Sequence, residues 1–252
     1  MERVVVVSGG GTGIGRATAE LFARQGDQVV LVGRRAEVLA RTAAEIGGKD
    51  GRVAALPADL TDPVQVRRLA DEIVERRQRV DVLVNAAGGN ALYHPGPEPL
   101  EGLAATALQW TENFRVNTLT AVLLTEALKP HLSSRGGRVL LLSSIAAYRG
   151  SGSGSYAASK AALHPYAYDL ANELGERQIT VNVVAPGYIQ DTEFFAGQMS
   201  DERRRLQISQ TLNKRAGTPE DVAHTVHWLA SAGAGHVTGQ IIQINGGAER
   251  GR

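Results

Sequence analysis

Short runs of apolar, mostly β-branched residues recur along the chain, and stretches with helical periodicity lie between them. The apolar runs occupy residues 4–7, 28–32, 53–56, 80–84, 139–142, 180–184 and 241–244. Strands that are buried on both faces of a parallel sheet read as continuous apolar runs of this kind. Helical periodicity is clearest at residues 17–25, 63–76, 110–128, 156–174 and 219–230. Strands that alternate with helices predict βαβ units.

The predicted fold is therefore α/β, a doubly wound Rossmann-type parallel sheet of seven strands with helices on both faces. Seven strands and about six helices fill the 252 residues, so we interpret 1–252 as a single domain. The least regular segments are expected to be loops at 89–103, 147–155 and 188–212. Ligands bind beyond the carboxyl ends of the strands in such sheets, which predicts that these loops surround a substrate.

Composition excludes several classes of protein. Hydrophobic residues make up 43% of the chain and charged residues 21%, which rules out disorder, collagen and coiled coil. The absence of Cys excludes disulfides, thiolate metal sites and a Cys nucleophile. The six His show no ligand spacing, so no metal is expected.

Charge and hydropathy narrow the expected partners. A net charge of +1 gives no argument for nucleic acid or for an anionic membrane as a partner. No apolar stretch approaches the length of a membrane helix, and the first residues lack the layout of a signal peptide. We therefore expect a cytoplasmic protein that acts on a small molecule.

A glycine-rich turn, residues 8–15, directly follows the first predicted strand and precedes a helix. Glycine permits positive φ and lets a phosphate approach the backbone, and a helix amino terminus offers that phosphate free N–H groups. Gly9, Gly13 and Gly15 give the spacing G-x-x-x-G-x-G, which differs from G-x-G-x-x-G, and the absence of a following Gly-Lys-Ser/Thr excludes a P-loop. The turn predicts a dinucleotide site, with a ligand-free turn as the alternative.

The end of the second predicted strand indicates which dinucleotide fits. An acidic residue there binds the ribose 2′-hydroxyl of NAD, whereas arginine accommodates the 2′-phosphate of NADP. Arg34 and Arg35 stand at this position, whereas Glu37 lies too far beyond the strand end to bind the ribose. Arg16, at the start of the first helix, could add a third positive charge. Two adjacent guanidiniums suit a phosphate dianion, so NADP is predicted in preference to NAD. The alternative is a pair of solvated arginines.

Tyr156 and Lys160 are four residues apart in a predicted helix, so their side chains share one helix face. A free phenol has a pKa of about 10 and is a poor acid or base at neutral pH. A neighbouring cation favours the phenolate. We therefore expect Lys160 to lower the pKa of Tyr156, although an ordinary helix pair is the alternative.

Taken together, these motifs resemble the short-chain dehydrogenase/reductase family, in its short single-domain branch, over essentially the whole length. The further segments that carry the likeness are Ala58-Asp59-Leu60 after the third strand, Asn85-Ala86-Ala87-Gly88 after the fourth, Asn117 in a helix, Ser143-Ser144 after the fifth strand, Pro186-Gly187 with Ile189 and Thr192 after the sixth, and Thr238-Gly239 and Gly246-Gly247 near the end. The resemblance extends to 3-oxoacyl-(acyl-carrier-protein) reductase-like members.

The resemblance implies reversible hydride transfer between a nicotinamide and a carbonyl or secondary alcohol. It assigns catalysis to Asn117, Ser144, Tyr156 and Lys160. It assigns cofactor binding to Ser8, Gly9, Gly11, Thr12, Gly13, Ile14, Gly15, Arg34, Arg35, Asp59, Leu60, Asn85, Ala86, Ala87, Gly88, Tyr156, Lys160, Pro186, Gly187, Ile189 and Thr192. The alternative function is a catalytically silent NADP-binding sensor or scaffold.

Two features depart from the family's pattern. The family's catalytic Ser stands about 13 residues before its Tyr, a spacing that reaches Ser143, whereas the local motif points to Ser144. Strand side chains alternate between faces, so one of the two faces the substrate, and we predict Ser144. Pro165 removes a helix hydrogen bond to Ala161 and is expected to bend the helix.

Other segments are candidates for contacts with the substrate and with partner chains. Tyr148, Tyr188, Phe194, Phe195 and Met199 are expected to form an apolar pocket wall. The run 203–205 is either a phosphate contact for an acyl carrier or CoA or, more simply, a solvated face. The segments 110–128 and 156–174 are apolar around too much of their circumference for one-sided burial. We therefore expect a homo-oligomer, most simply a tetramer with two-fold axes.

Overall fold

The fold is organised around a parallel β-sheet, seen in a computed structural model that describes residues 2–47, 51–93, 101–195 and 197–250. The described residues form seven strands, β1 (Val4–Ser8), β2 (Gln28–Gly33), β3 (Val53–Pro57), β4 (Val82–Asn85), β5 (Arg138–Leu142), β6 (Thr180–Pro186) and β7 (Ile241–Ile244). All neighbouring pairs are parallel, and the order is β3-β2-β1-β4-β5-β6-β7. The predicted doubly wound α/β sheet is confirmed.

Helices cover both faces of this sheet. The described residues form α1 (Gly13–Arg24), α2 (Ala36–Ile46), α3 (Pro63–Arg77), α4 (Gly102–Phe114), α5 (Thr120–Leu128), α6 (Ala146–Arg149), α7 (Gly154–Ala161), α8 (Leu163–Leu174), α9 (Asp201–Gln210) and α10 (Pro219–Leu229). One core cluster packs α3, α5 and α8 on the sheet, and the other packs α1 and α10 on the opposite face. Within the described ranges, no helix has the length and apolar character needed to cross a membrane.

Two helical segments differ from the sequence prediction. The predicted helix 110–128 begins earlier, at Gly102, and contains a π-helical turn at Arg115–Leu119 between α4 and α5. The predicted helix 156–174 is interrupted at Ala162, between α7 and α8. Pro165 lies one turn beyond this interruption and has no N–H to donate to Ala161, so the expected disturbance of the helix is found.

The segments predicted as loops contain regular structure. Residues 201–210 form α9, so the loop prediction for 188–212 was wrong there. Ser200 begins α9 by accepting a hydrogen bond from the Arg203 N–H (3.2 Å), and Asp201 and Glu202 follow in the first turn, an arrangement that stabilises a helix amino terminus without apolar periodicity. The predicted loop 147–155 overlaps the end of α6. In 89–103, a 3₁₀ turn occupies Ala91–Tyr93, and residues 94–100 lie outside the described ranges.

Candidate active site

A cavity of about 1310 Å³ opens along the carboxyl ends of β1, β2, β4, β5 and β6. Most of the predicted site residues line it, although they come from distant parts of the sequence. They are Gly9, Gly11, Thr12, Gly13, Ile14, Gly15, Arg34, Arg35, Asp59, Leu60, Ala86, Ala87, Gly88, Ser144, Tyr156, Lys160, Pro186, Gly187, Ile189 and Thr192. The cavity joins the predicted dinucleotide turn to the predicted catalytic residues.

Three predicted residues, Ser8, Asn85 and Asn117, are buried behind the cavity wall and do not line it. The hydroxyl of Ser8 accepts a hydrogen bond from the N–H of Ala87 (3.1 Å), and the amide of Asn85 donates to the hydroxyl of Thr125 (2.9 Å). These contacts hold the ends of β1 and β4 in place. The role that they support is shaping the wall, not touching a ligand.

The glycine turn brings the start of α1 against the end of β1. A Cβ on Gly15 would lie 2.2 Å from the carbonyl oxygen of Gly9, so no larger residue fits without moving the backbone. Gly9 itself has φ +66°, a conformation that glycine adopts readily. Because this packing aims the amino terminus of α1 at the cavity, the turn fits the phosphates of a dinucleotide.

The arginines near the end of β2 have different surroundings. Arg16 pairs with Glu45 (2.9 Å) and Arg35 pairs with Glu193 (2.9 Å). Arg34 is exposed and makes no ion pair within the described residues. Arg34 is therefore the guanidinium with the least competition for an added phosphate.

Asp59 lies on the same side of the cavity as Arg34. Burial raises the pKa of Asp59, but hydrogen bonds from Thr61 and the charges of Arg34 and Arg115 outweigh it and leave this pKa below its ordinary value. The carboxylate is therefore ionised at neutral pH. Its hydrogen bonds with the Thr61 N–H (2.9 Å) and hydroxyl (2.8 Å) also fix its position.

The two serines at the end of β5 face different partners. The hydroxyl of Ser144 accepts a hydrogen bond from the Ala146 N–H (3.1 Å), and its nearness to the phenol of Tyr156 lowers the pKa of that phenol. The hydroxyl of Ser143 donates to the backbone carbonyl of Lys160 (2.9 Å) and lies 2.9 Å from Nε2 of His164. This arrangement supports Ser144 as the serine that meets a substrate and gives Ser143 a backbone-bracing role.

The pKa values of Tyr156 and Lys160 are set mainly by burial. Burial raises the pKa of Tyr156 to about 12, although the hydrogen bond with Ser144 lowers it in part. Burial lowers the pKa of Lys160 to about 8. The Lys160 ammonium donates to the carbonyl oxygen of Leu142 (2.9 Å), so the expectation that it lowers the pKa of Tyr156 is not met in this arrangement.

Asn117 lies in the π-helical turn, fully buried beside the end of β4. Its side-chain oxygen accepts from the Gly89 N–H (3.0 Å), and its amide donates to the Gly89 carbonyl (2.8 Å). A Cβ on Gly88 would lie 2.6 Å from Asn117 Oδ1 and 2.9 Å from Lys160 Nζ. Glycine at 88 therefore allows both polar groups to approach the same stretch of backbone.

The predicted apolar wall is found only in part. Tyr188, Phe194 and Phe195 line the cavity, whereas Tyr148 and Met199 do not. Tyr93 joins the wall, with its ring centroid 5.9 Å from that of Phe194. The sequence analysis missed Tyr93 because it lies in a segment that was treated only as a loop.

His164 was also missed. Its ring contacts Ser143 and lies with its centroid 5.3 Å from that of Tyr148. The spacing of four residues between Lys160 and His164 was a usable signal, since both side chains then project from the same side of the chain. The described residues contain no group of three or more His, Asp or Glu side chains that could hold a metal ion.

The burial of Lys160 predicts a stability that depends on pH. Its pKa falls from 10.5 to about 8 on folding, so between these values the unfolded chain binds more protons and the free energy of unfolding rises with pH. Relative to Lys160→Met, wild-type protein should gain about 2 kcal/mol between pH 8 and pH 10. Urea unfolding at several pH values measures this difference.

Lys129→Met is the matched control for that prediction. Hydrogen bonds with Glu126 and Glu173 raise the pKa of Lys129, so this residue contributes no gain in stability over the same interval. A Lys160 difference that stays flat from pH 8 to pH 10 would show that the ammonium is not buried as described.

Comparison with known proteins gives this chain relatives along almost its whole length. A family model described as enoyl-(acyl carrier protein) reductase matches residues 9–249. The chain is 33% identical to the 3-oxoacyl-(acyl-carrier-protein) reductase of Aquifex aeolicus, over 97% of this chain and 96% of that protein. It is 32% identical to the 7alpha-hydroxysteroid dehydrogenase of Escherichia coli, over 97% of this chain and 93% of that protein.

A solved structure from Brucella melitensis, described as a short-chain dehydrogenase/reductase and glucose/ribitol dehydrogenase, superimposes with a TM-score of 0.88. That alignment has 30% sequence identity and covers 100% of both chains. The names of these relatives describe different substrates. On this fold and these matches, the chain belongs to the short-chain dehydrogenase/reductase family of oxidoreductases.

Proposed function

We propose that the protein is an NADPH-dependent reductase that acts on a carbonyl compound through one dinucleotide-binding and catalytic domain. The observation that carries this proposal is that Ser144, Tyr156 and the buried Lys160 line the same cavity as the glycine turn. A bound nicotinamide supplies the hydride for the carbonyl carbon. The side chains supply the proton, the orientation and the charge stabilisation.

Tyr156 is the proposed proton donor. With a pKa of about 12, its phenol is protonated at neutral pH and gives its proton to the carbonyl oxygen as the alcohol forms. Ser144 hydrogen-bonds the same oxygen and fixes its position, a donor role that stabilises developing negative charge. In the oxidative direction Tyr156 must first lose its proton, so the high pKa favours reduction.

Lys160 and Asn117 have supporting roles in this proposal. Lys160 is assigned to the ribose hydroxyls next to the nicotinamide. Asn117 is assigned to a water that links Lys160 with solvent. The closeness of both side chains to Gly88 supports this pairing.

NADP is preferred to NAD because the end of β2 offers guanidinium in place of a carboxylate. Arg34, which has no ion pair within the described residues, is the proposed contact for the 2′-phosphate, with Arg35 beside it. Both side chains of the Arg35–Glu193 pair are exposed, so their ion pair is weak and competes little with a phosphate for Arg35. A phosphate dianion adds charge-assisted hydrogen bonds that NAD lacks.

The cofactor preference predicts the effect of changing Arg34. Arg34→Ala, and more strongly Gly33→Asp with Arg34→Ala, should lower the affinity for NADPH relative to NADH by about tenfold or more, since such hydrogen bonds contribute roughly 1.5–3 kcal/mol. Cofactor fluorescence titration measures both affinities. Arg41→Ala, an exposed change on α2 that lies outside the cavity, is the control; an unchanged ratio in the Arg34 variants contradicts the proposal.

The proton-donor role predicts a split between catalysis and binding. Tyr156→Phe should abolish turnover and leave NADPH affinity near that of wild type, because the phenol acts in the chemical step. Lys160→Ala should lose both properties. Stopped-flow or steady-state oxidation of NADPH with a panel of ketones and quinones provides the rates. Turnover by Tyr156→Phe at the wild-type rate would show that Tyr156 is not the proton donor. If the wild-type protein binds NADPH but reduces none of these compounds, the alternative of a catalytically silent sensor or scaffold is favoured.

The different partners of the two serines predict a ranking. Ser144→Ala should lower kcat by roughly 10²–10³-fold, the typical cost of one donor to a developing oxyanion. Ser143→Ala should cost less in kcat and more in stability, because its hydroxyl braces the Lys160 backbone. Kinetics and thermal unfolding of both variants test this, and the reverse order of kcat values would place Ser143 at the substrate.

We also propose that the protein is a homo-oligomer, most simply a tetramer. Trp110 and Phe114 stack on one another on α4, and both are partly exposed. Leu103, Leu119 and Tyr168 are exposed as well, and this apolar surface is suited to a second copy in a two-fold arrangement. Light scattering at micromolar concentration should give a multiple of the 26.7 kDa chain mass. A measured mass equal to that of one chain contradicts the assembly.

The cytoplasmic location stays a prediction.

A further inference from the structure

We propose that the substrate is a ring-bearing apolar carbonyl compound that carries its own acidic group, and that Arg203 binds this group at the rim of the cavity. The inference rests on the proposed reductase function, since it names the substrate class for the same site. Arg149, at the same rim, is the second cation available to the acid.

The aromatic wall accounts for the ring. Phe194 and Phe195 meet edge to face with centroids 4.9 Å apart, and Tyr93 and Tyr188 lie against Phe195 at 5.7 and 5.9 Å. The Phe194 ring also lies 5.4 Å from that of Tyr156. A flat apolar group packs well on such a surface, through offset and edge-to-face contacts. The wall therefore begins beside the proposed proton donor.

The charges that line the cavity account for the acid. Three described carboxylates line it, and each lies near at least one guanidinium. Glu193 pairs with Arg35, Glu112 pairs with Arg115, and the charges of Arg34 and Arg115 lower the pKa of Asp59 without an ion pair. Arg149 and Arg203 also line the cavity, and neither forms an ion pair within the described residues. This end of the cavity is therefore left with uncompensated positive charge.

Arg203 is placed at the edge of the aromatic wall. Its guanidinium lies 5.9 Å from the centroid of Phe195, within the range of a cation–π contact. Gln207 stands one helical turn further along α9 and lines the cavity too. Gln207 and Arg149 are shared between the cavity and a shallow surface depression, which locates them where the cavity opens to solvent.

Neighbouring arginines do not share this placement. Arg203 is half-buried, whereas Arg204 and Arg205 are exposed and, among the described residues, are absent from the cavity wall. Of this run, only Arg203 therefore lines the cavity. A ring that packs on Phe194 and Phe195 with its carbonyl at Tyr156 directs a substituent on its far side toward Arg203, where a carboxylate gains a charge-assisted hydrogen bond.

The experiment compares two ketones that differ in charge, para-acetylbenzoate and para-acetylbenzamide, with NADPH and the full-length protein. Wild type should favour the benzoate in kcat/KM by roughly tenfold, the size expected of one charge-assisted hydrogen bond. Arg203→Met should remove most of this ratio, and added salt should reduce it. Arg204→Met is the matched control and should keep the wild-type ratio. A ratio near one in wild type, or equal losses in the two variants, overturns the proposal.

A binding measurement separates this inference from the proposed function. Calorimetry with para-isopropylbenzoate, which has no carbonyl to reduce, tests the acid site without turnover. If Arg203→Met weakens this binding about tenfold and Arg204→Met leaves it unchanged, the acid site is supported. That support holds even where no ketone is reduced, a result that would contradict the reductase function alone. Reduction of neutral ketones without Arg203-dependent acid binding leaves the function standing and overturns the site. A preference for acetoacetyl-CoA over the benzoate that depends on Arg203 would show that Arg203 binds a phosphate of the carrier. That result overturns the assignment of a small acidic substrate.

Discussion

Lys160 is attached to the end of β5 at two points, and the geometry of the candidate site depends on this double attachment. Its ammonium donates to the carbonyl of Leu142, and its own carbonyl accepts from the hydroxyl of Ser143. Both hydrogen bonds are 2.9 Å long. Leu142, the last residue of β5, and Ser143, which follows it, thus hold the side chain and the backbone of one lysine. The next residue is Ser144, which lines the cavity with Tyr156, one turn before Lys160, and lowers the pKa of its phenol. The proposed donor pair is therefore positioned by the same contact between β5 and α7.

The interruption of the helix at Ala162 makes this attachment possible. The last carbonyls of an α-helix have no intrahelical donor, and the end of α7 at Ala161 leaves the Lys160 carbonyl among them. A serine hydroxyl has one proton, which Ser143 gives to that carbonyl, so its oxygen accepts from the Nε2–H of His164. Burial also lowers the pKa of His164, which favours the neutral ring.

The sequence analysis predicted what depends on local pattern. Apolar runs gave all seven strands, and the Tyr156–Lys160 spacing and glycine turn gave residues that line one cavity. It failed where the outcome depends on burial in the finished fold. Lys160 lies one turn from Tyr156 as predicted, yet its ammonium is held by Leu142, so desolvation dominates both pKa values. The extent of the wall also escaped prediction, since Tyr93 reaches Phe194 only through tertiary packing.

The distribution of charge along the cavity gives its two ends different ligand preferences. Asp59, Glu112 and Glu193 are each close to guanidinium groups, so they add little net negative charge. Among the cavity arginines without an ion pair in the described residues, Arg34 stands near the glycine turn and Asp59, and Arg149 and Arg203 stand near the aromatic wall. Tyr156 and Lys160 are both buried, and burial keeps the phenol protonated and makes an isolated phenolate costly. Anionic groups held at both ends would keep their charge away from the reacting carbonyl, so binding there need not oppose the negative charge that develops beside Tyr156.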